Sequence, residues 1–185
     1  KKIEVPEGKN VENKILILGE FLSGVLPFDM NLDILSQAIR VLEEIHQVDP
    51  TGIKHLLNKI DCENPKFLHG DLTPSNMLVS YGKISGVLDF ELALLGPVEY
   101  DLARLGVFSW FRMKNTNFGE IINLIYENYP QNLSMEKLKK FSRLHCQMHL
   151  DNVRKHKKIY DDPLKFQEEL DFALDRFKSL KADLE

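Results

Sequence analysis

Only two cysteines, Cys62 and Cys146, occur in the 185 residues. So few, at no metal-ligand spacing, leave no disulfide framework and no cysteine zinc site, and free core thiols in a reducing interior are expected for both. No apolar run approaches the roughly 20 residues of a membrane span, and no signal peptide is visible. Basic excess is also missing: 24 Lys and Arg face 28 Asp and Glu, net −4, which argues against nucleic acid as the main partner. Despite ten glycines the chain has no Gly-x-Gly-x-x-Gly loop, no Walker-type loop, no internal repeat and no low-complexity tract. What is present, 43% hydrophobic residues, suffices for the core of one domain, or of one lobe and part of another.

The most informative stretch is His69-Gly-Asp-Leu-Thr-Pro-Ser-Asn76, followed by Val87-Leu-Asp-Phe-Glu91. Between Asn76 and Asp89 run two apolar arms around Tyr81-Gly82-Lys83, a hairpin signature. A hairpin returns its ends to one place, so Asp89 is expected beside Asn76. Hard oxygen ligands meeting there suit Mg²⁺ carrying nucleotide phosphates. Asp71 is then free to act as a base toward a hydroxyl.

Three motifs in this order resemble the aminoglycoside phosphotransferase family of small-molecule kinases, which share the protein-kinase plan and include choline, homoserine and fructosamine kinases. His69-Gly70-Asp71 stands where protein kinases carry His-Arg-Asp, and Asp89-Phe90-Glu91 stands for Asp-Phe-Gly. Gly96-Pro-Val-Glu-Tyr-Asp-Leu-Ala-Arg104 resembles the helix start that follows the metal loop. The resemblance covers Phe67 to Leu105. It implies ATP as donor, a small hydroxyl-bearing acceptor, Asp71 as the catalytic carboxylate, and Asn76 and Asp89 as Mg²⁺ ligands. His69 and Asp101 are implied to brace the loop, and Glu91 to touch a metal-bound water or a cationic substrate. In the family a strand followed by a segment such as Gly19-Glu-Phe-Leu-Ser-Gly24 is the hinge between lobes, so the backbone of Glu20 and Leu22 is expected to bind adenine. Access to ATP fits a cytoplasmic protein.

The fold expected is α+β: a protein-kinase-like C-terminal lobe, mainly helical with short β-hairpins, plus the last hairpin of a truncated N-terminal lobe. Residues 1–18 are read as that hairpin, with strands at Ile3-Glu-Val-Pro and Lys14-Ile-Leu-Ile-Leu18, residues 19–24 as the hinge, and 25–185 as the catalytic lobe. No strand lysine and no phosphate-covering loop precede Asp71, so these residues alone are expected to be poor catalysts.

Apolar spacing predicts a helix over 32–48, capped by Asn31 or Asp33, and a shorter one over 51–60. Further helices are predicted over 98–111, from Asn117 to Tyr129 with a capping box, from Ser134 to about Lys158 with Leu138, Phe141, Leu144 and Met148 inward, and from Asp162-Pro163 onward. The last carries the stripe Leu164, Phe166, Leu170, Phe172, Leu174 and Phe177.

Each candidate has a plainer reading. Asp71 sits in good turn chemistry, and Asp101 could be an N-terminal helix charge. Asp89 ends an apolar run pointing inward, where an unpaired carboxylate would be costly. His145 and His149 have zinc spacing but no third ligand, and are read as ordinary helix residues, like His46. Phe108, Trp110 and Phe111 are read as an apolar helix face. Alternative functions are a small atypical kinase of the tRNA-modification type, a non-catalytic nucleotide-binding pseudokinase and, more weakly, a metal-dependent hydrolase built on His69, Asp71, Asp89 and Glu91.

Overall fold

A computed structural model describes residues 23–27, 29–157 and 162–184. The two strands expected within 1–18 and the hinge residues Glu20 and Leu22 lie outside the described residues.

Helix α1, Leu32–His46, begins where Asn31 Oδ1 accepts the backbone N–H of Ile34 at 2.9 Å, one of the orphan donors of a helix start. Its periodic face buries Ile34, Leu35, Ala38, Ile39 and Leu42. The predicted helix over 51–60 does not form. A single 3-10 turn covers Lys54–Leu56, and strand β1, Asn58–Lys59, follows. Leu56 is exposed, so the apolar spacing had no core to face.

Strand β2, Lys66–Leu68, leads into the motif loop. After it come β3, Met77–Ser80, β4, Lys83–Val87, and β5, Leu94–Gly96. β5 lies between β1, its parallel neighbour, and β2, its antiparallel one. β3 and β4 form the expected hairpin, with Met77 opposite Val87. The turn places Tyr81 and Gly82 at φ of 50° and 73°, the pair of positive values a two-residue hairpin turn needs to match strand twist.

Helix α2, Val98–Trp110, is the central helix and is buried on most sides. It packs most extensively on α4, Met135–Lys155, and also contacts α1 and α3, Phe118–Asn128. Asn117 and Glu120 form the capping pair, Asn117 Oδ1 taking the Glu120 N–H at 2.9 Å and Asn117 Nδ2 reaching Glu120 Oε1 at 2.9 Å. Helix α5, Pro163–Asp183, starts with Asp162 as cap and Pro163 in the first turn.

The inward faces of α4 and α5 differ from the apolar stripes. α4 buries Leu138, Ser142, His145, Cys146, Leu150 and Val153, whereas Leu144 and Met148 are exposed. The inward face includes polar residues, so a count of apolar positions points a fraction of a turn away. α5 buries Phe166, Ala173 and Leu180 and exposes Leu164 and Phe172. Both cysteines are free, but only Cys146 is a core thiol; Cys62 is half-buried. The large core joins α1, α2, α3 and the hairpin through residues such as Leu35, Leu102 and Ile121, each fully buried and each worth roughly 1.5–3 kcal/mol. A small second cluster lies between α4 and α5. Among the described residues no helix is long and apolar enough to cross a membrane.

Candidate active site

Three apolar side chains with no exposed surface, Leu68, Leu72 and Met77, pin the loop from both ends and the middle. Between them His69 and Thr73 are buried as well, while Asp71 and Asn76 are half-buried and Ser75 is exposed. Pro74 opens a 3-10 turn, Pro74–Asn76, closed by the Asn76 N–H on the Thr73 carbonyl at 2.9 Å. That turn presents Asn76 to Asp71: Asn76 Nδ2 donates to the Asp71 backbone oxygen at 2.9 Å and to Asp71 Oδ2 at 3.1 Å. Gly70 has φ of 81°, and any Cβ there would collide with the Leu92 carbonyl. Only glycine fits between the loop and the segment that follows the hairpin.

Asp101 enters from the first turn of α2 and has no exposed surface. Its Oδ2 accepts the His69 N–H at 2.7 Å and its Oδ1 the Gly70 N–H at 2.8 Å. It acts on the loop directly, beyond any effect as a helix-end charge. His46 approaches the same carboxylate, with Nε2 3.3 Å from Oδ2, while its Nδ1 lies 2.8 Å from the Tyr129 hydroxyl. His69 is likewise buried. Its Nδ1 accepts the Asp71 N–H at 3.2 Å and its Nε2 donates to the Leu88 carbonyl at 3.0 Å, which fixes the tautomer with the proton on Nε2. The ring of His69 lies against Phe90, centroids 4.3 Å apart. One imidazole therefore ties the loop to the strand leading to Asp89.

The hairpin returns as its turn dictates. Leu88 N–H donates to the Asn76 carbonyl at 2.9 Å, so Asp89 follows directly on the residue paired with Asn76. Asp89 differs from expectation in one respect: it is exposed, at φ of 64°, rather than held in an apolar interior. The apolar arm ends at Val87, and Leu88 is already exposed. Oδ1 of Asp89 accepts the Glu91 N–H at 3.2 Å, and Glu91 is exposed beside it. Asn76 and Asp89 carry side-chain oxygens on two adjacent loops. Two protein ligands with the rest from water and phosphate match the habit of Mg²⁺, which seldom takes an all-protein cage. Among the described residues no group of three His, Cys, Asp or Glu side chains could hold a metal, and none supplies a third ligand beside His145 and His149.

Sequence reasoning missed Arg104. Its Nε donates to Asp71 Oδ1 at 2.6 Å, a second guanidinium nitrogen contacts the same oxygen, and the guanidinium lies 5.1 Å from the centroid of Phe108. A signal existed: Arg104 lies three residues after Asp101 on one helix, hence on the same face. Beside it a cavity of about 440 Å³ is lined by Gly70, Glu91, Tyr100, Arg104, Phe108 and His149, among others. Phe108 thus faces a cavity, while Trp110 is buried with its indole N–H on the Thr116 carbonyl. His145 forms part of the wall. Burial, with the nearby Arg104 charge as a second cause, holds its imidazole down to about 4, and its Nε2 donates to the Tyr100 carbonyl at 3.0 Å.

Residues 53–135 match the phosphotransferase enzyme family. That stretch holds His69, Asp71, Asn76, Asp89, Glu91, Asp101 and Arg104, and the resemblance read from the motifs stands. Among solved structures, choline kinase LicA from Streptococcus pneumoniae is similar at a TM-score of 0.51 and 17% identity, over 83% of this chain and 63% of that one. An aminoglycoside phosphotransferase candidate from Ralstonia eutropha JMP134 is similar at 0.54 and 16% identity, over 88% of this chain and 72% of that one. At such identities the likeness is one of fold, that of small-molecule kinases of the protein-kinase type. The chain spans 63% of the length of the choline kinase. No curated protein matches the chain in sequence.

Proposed function

We propose that the chain carries the phosphoryl-transfer centre of an ATP-dependent kinase acting on a small hydroxyl compound. The reading rests chiefly on one arrangement: Asn76 is bonded through its side chain to Asp71 and through its backbone to Leu88, the neighbour of Asp89. The three polar residues that such chemistry uses therefore share one mouth. In this reading Asn76 and Asp89 hold Mg²⁺ through oxygen. Bound with the nucleotide, Mg²⁺ supplies positive charge at the phosphate oxygens. Asp71 accepts a hydrogen bond from the acceptor hydroxyl and aims its oxygen at the γ-phosphorus. A new O–P bond forms as the bond to the departing ADP oxygen breaks, and the hydroxyl proton passes to Asp71 late in the step. His69 and Asp101 keep the loop in the shape that this aim requires, and Glu91 lies beside the metal loop. Residues 19–24 serve as the hinge, with the backbone of Glu20 and Leu22 on adenine, ahead of a catalytic lobe over 25–185. ATP supply places the protein in the cytoplasm.

The test is transfer of label from γ-labelled ATP to a panel of small alcohols, with Asp71→Asn as control. Product that requires Mg²⁺ and falls about 10²–10⁴-fold in Asp71→Asn supports the reading. In the full-length protein, nucleotide binding without product from any acceptor favours the non-catalytic alternative.

A further inference from the structure

The cavity beside the loop and the residue between it and Asp71 together indicate which acceptors fit. The inference rests on the phosphotransferase reading above. The cavity is lined by Gly70, next to the candidate catalytic aspartate, and its volume of about 440 Å³ falls in the usual range for small-molecule sites, about 300–1,000 Å³. An alcohol carrying an ammonium group would bind there through carboxylates or the open face of an aromatic ring. The half-buried Asp71 carboxylate and the Phe108 ring beside the cavity are already engaged. Arg104 donates two N–H groups to Asp71 Oδ1, and the same guanidinium covers the Phe108 face at 5.1 Å. The Tyr100 ring packs edge-to-face with Phe141 and His145, with centroids 5.5 and 4.5 Å away.

Anionic acceptors are no better served. The cation in the wall, Arg104, is committed to Asp71, and burial disfavours the charged forms of His145 and His149. The acid in the lining, Glu91, is exposed, so its attraction for a cation is screened and weak. What remains favours neutral polar groups. Asn58 and Asn152 line the cavity, together with the apolar Leu92 and Met148. In the wall the buried Nδ1 of His145 has no hydrogen-bond partner, and a hydroxyl that reached it would fill that shortfall.

We propose that this cavity binds a small uncharged polyhydroxyl compound of monosaccharide size, and that Arg104 sets this preference by neutralising Asp71 and covering Phe108. Two measurements separate this claim from the underlying one. Saturation-transfer NMR on the protein, with glucose, ribose and glycerol against choline and ethanolamine, reads binding without turnover. Expected is transfer to at least one neutral probe and at least tenfold weaker binding of the ammonium alcohols. Arg104→Gln narrows that ratio about tenfold, whereas Arg104→Lys, which retains a cation, keeps most of it. Choline binding as tightly as the neutral probes, no binding of any neutral probe, or the same ratio in Arg104→Gln as in the parent overturns the proposal. Wild-type binding alone decides the matter if Arg104→Gln fails to fold. Label transfer from ATP to the bound probe is scored separately on the full-length protein, so neutral-probe binding without phosphorylation there counts against the kinase reading and not against the cavity.

Discussion

Asp101 accepts the backbone N–H of His69 at 2.7 Å from a position with no exposed surface. A carboxylate taken out of water must be repaid in full by donors, and here Gly70 N–H and His46 complete the set. Asp101→Ala therefore leaves two loop N–H groups without a partner. Loss of about 3–5 kcal/mol is expected in denaturant unfolding, with Asp101→Asn losing less because it retains one acceptor oxygen. A loss below about 1 kcal/mol for the alanine variant would show that the brace contributes little.

Gly70→Ala is expected to cost more than an ordinary surface glycine substitution. The left-handed backbone strains any Cβ by about 1–3 kcal/mol, and the Leu92 carbonyl blocks the space as well. Thermal unfolding should fall by several degrees, whereas Gly52→Ala, with open space around it, should change little.

His145 links stability to pH. Its folded-state pKa lies near 4 against an ordinary 6.5, so between those values the unfolded chain takes up a proton that the folded chain refuses. Stability should decline as pH falls through that window, by at most about 3 kcal/mol from this group, and its contribution should level off below pH 4. The difference in unfolding free energy between the parent and His145→Gln, measured from pH 7 to 4, should shrink accordingly. A difference that stays constant across the window would rule the coupling out.

The two thiols should separate in reactivity. Burial pushes the Cys146 thiol up to about 12, and Cys62 is half-buried. At pH 8 an aromatic disulfide reagent should modify Cys62 in the native protein and reach Cys146 only on unfolding. Rapid native modification of both would contradict the packing of α4.

Much of this architecture is legible in the chain because its causes are local. Asn31, Asn117, Ser134 and Asp162 cap helices within three residues of themselves, and Tyr81-Gly82 dictates the hairpin that carries Asp89 back to Asn76. What escaped depends on partners distant in sequence. Two residues, Asn58 and Lys59, are strand only because β5 lies alongside, and no period can be read from two positions. The inward face of α4 includes His145 and Ser142, which an apolar count passes over. Asp89 was expected inside because an apolar arm precedes it, but that arm stops two residues earlier. Arg104 could be placed only once Asp101 was known to face the loop.

The most direct test of the account uses Mn²⁺ as a paramagnetic substitute for Mg²⁺, added with a non-hydrolysable ATP analogue to the isotopically labelled protein. Selective broadening of the Asn76 side-chain amide and of the amides of residues 88–91, abolished by Asp89→Asn, is the result predicted. Broadening centred elsewhere, or unchanged by Asp89→Asn, would contradict it.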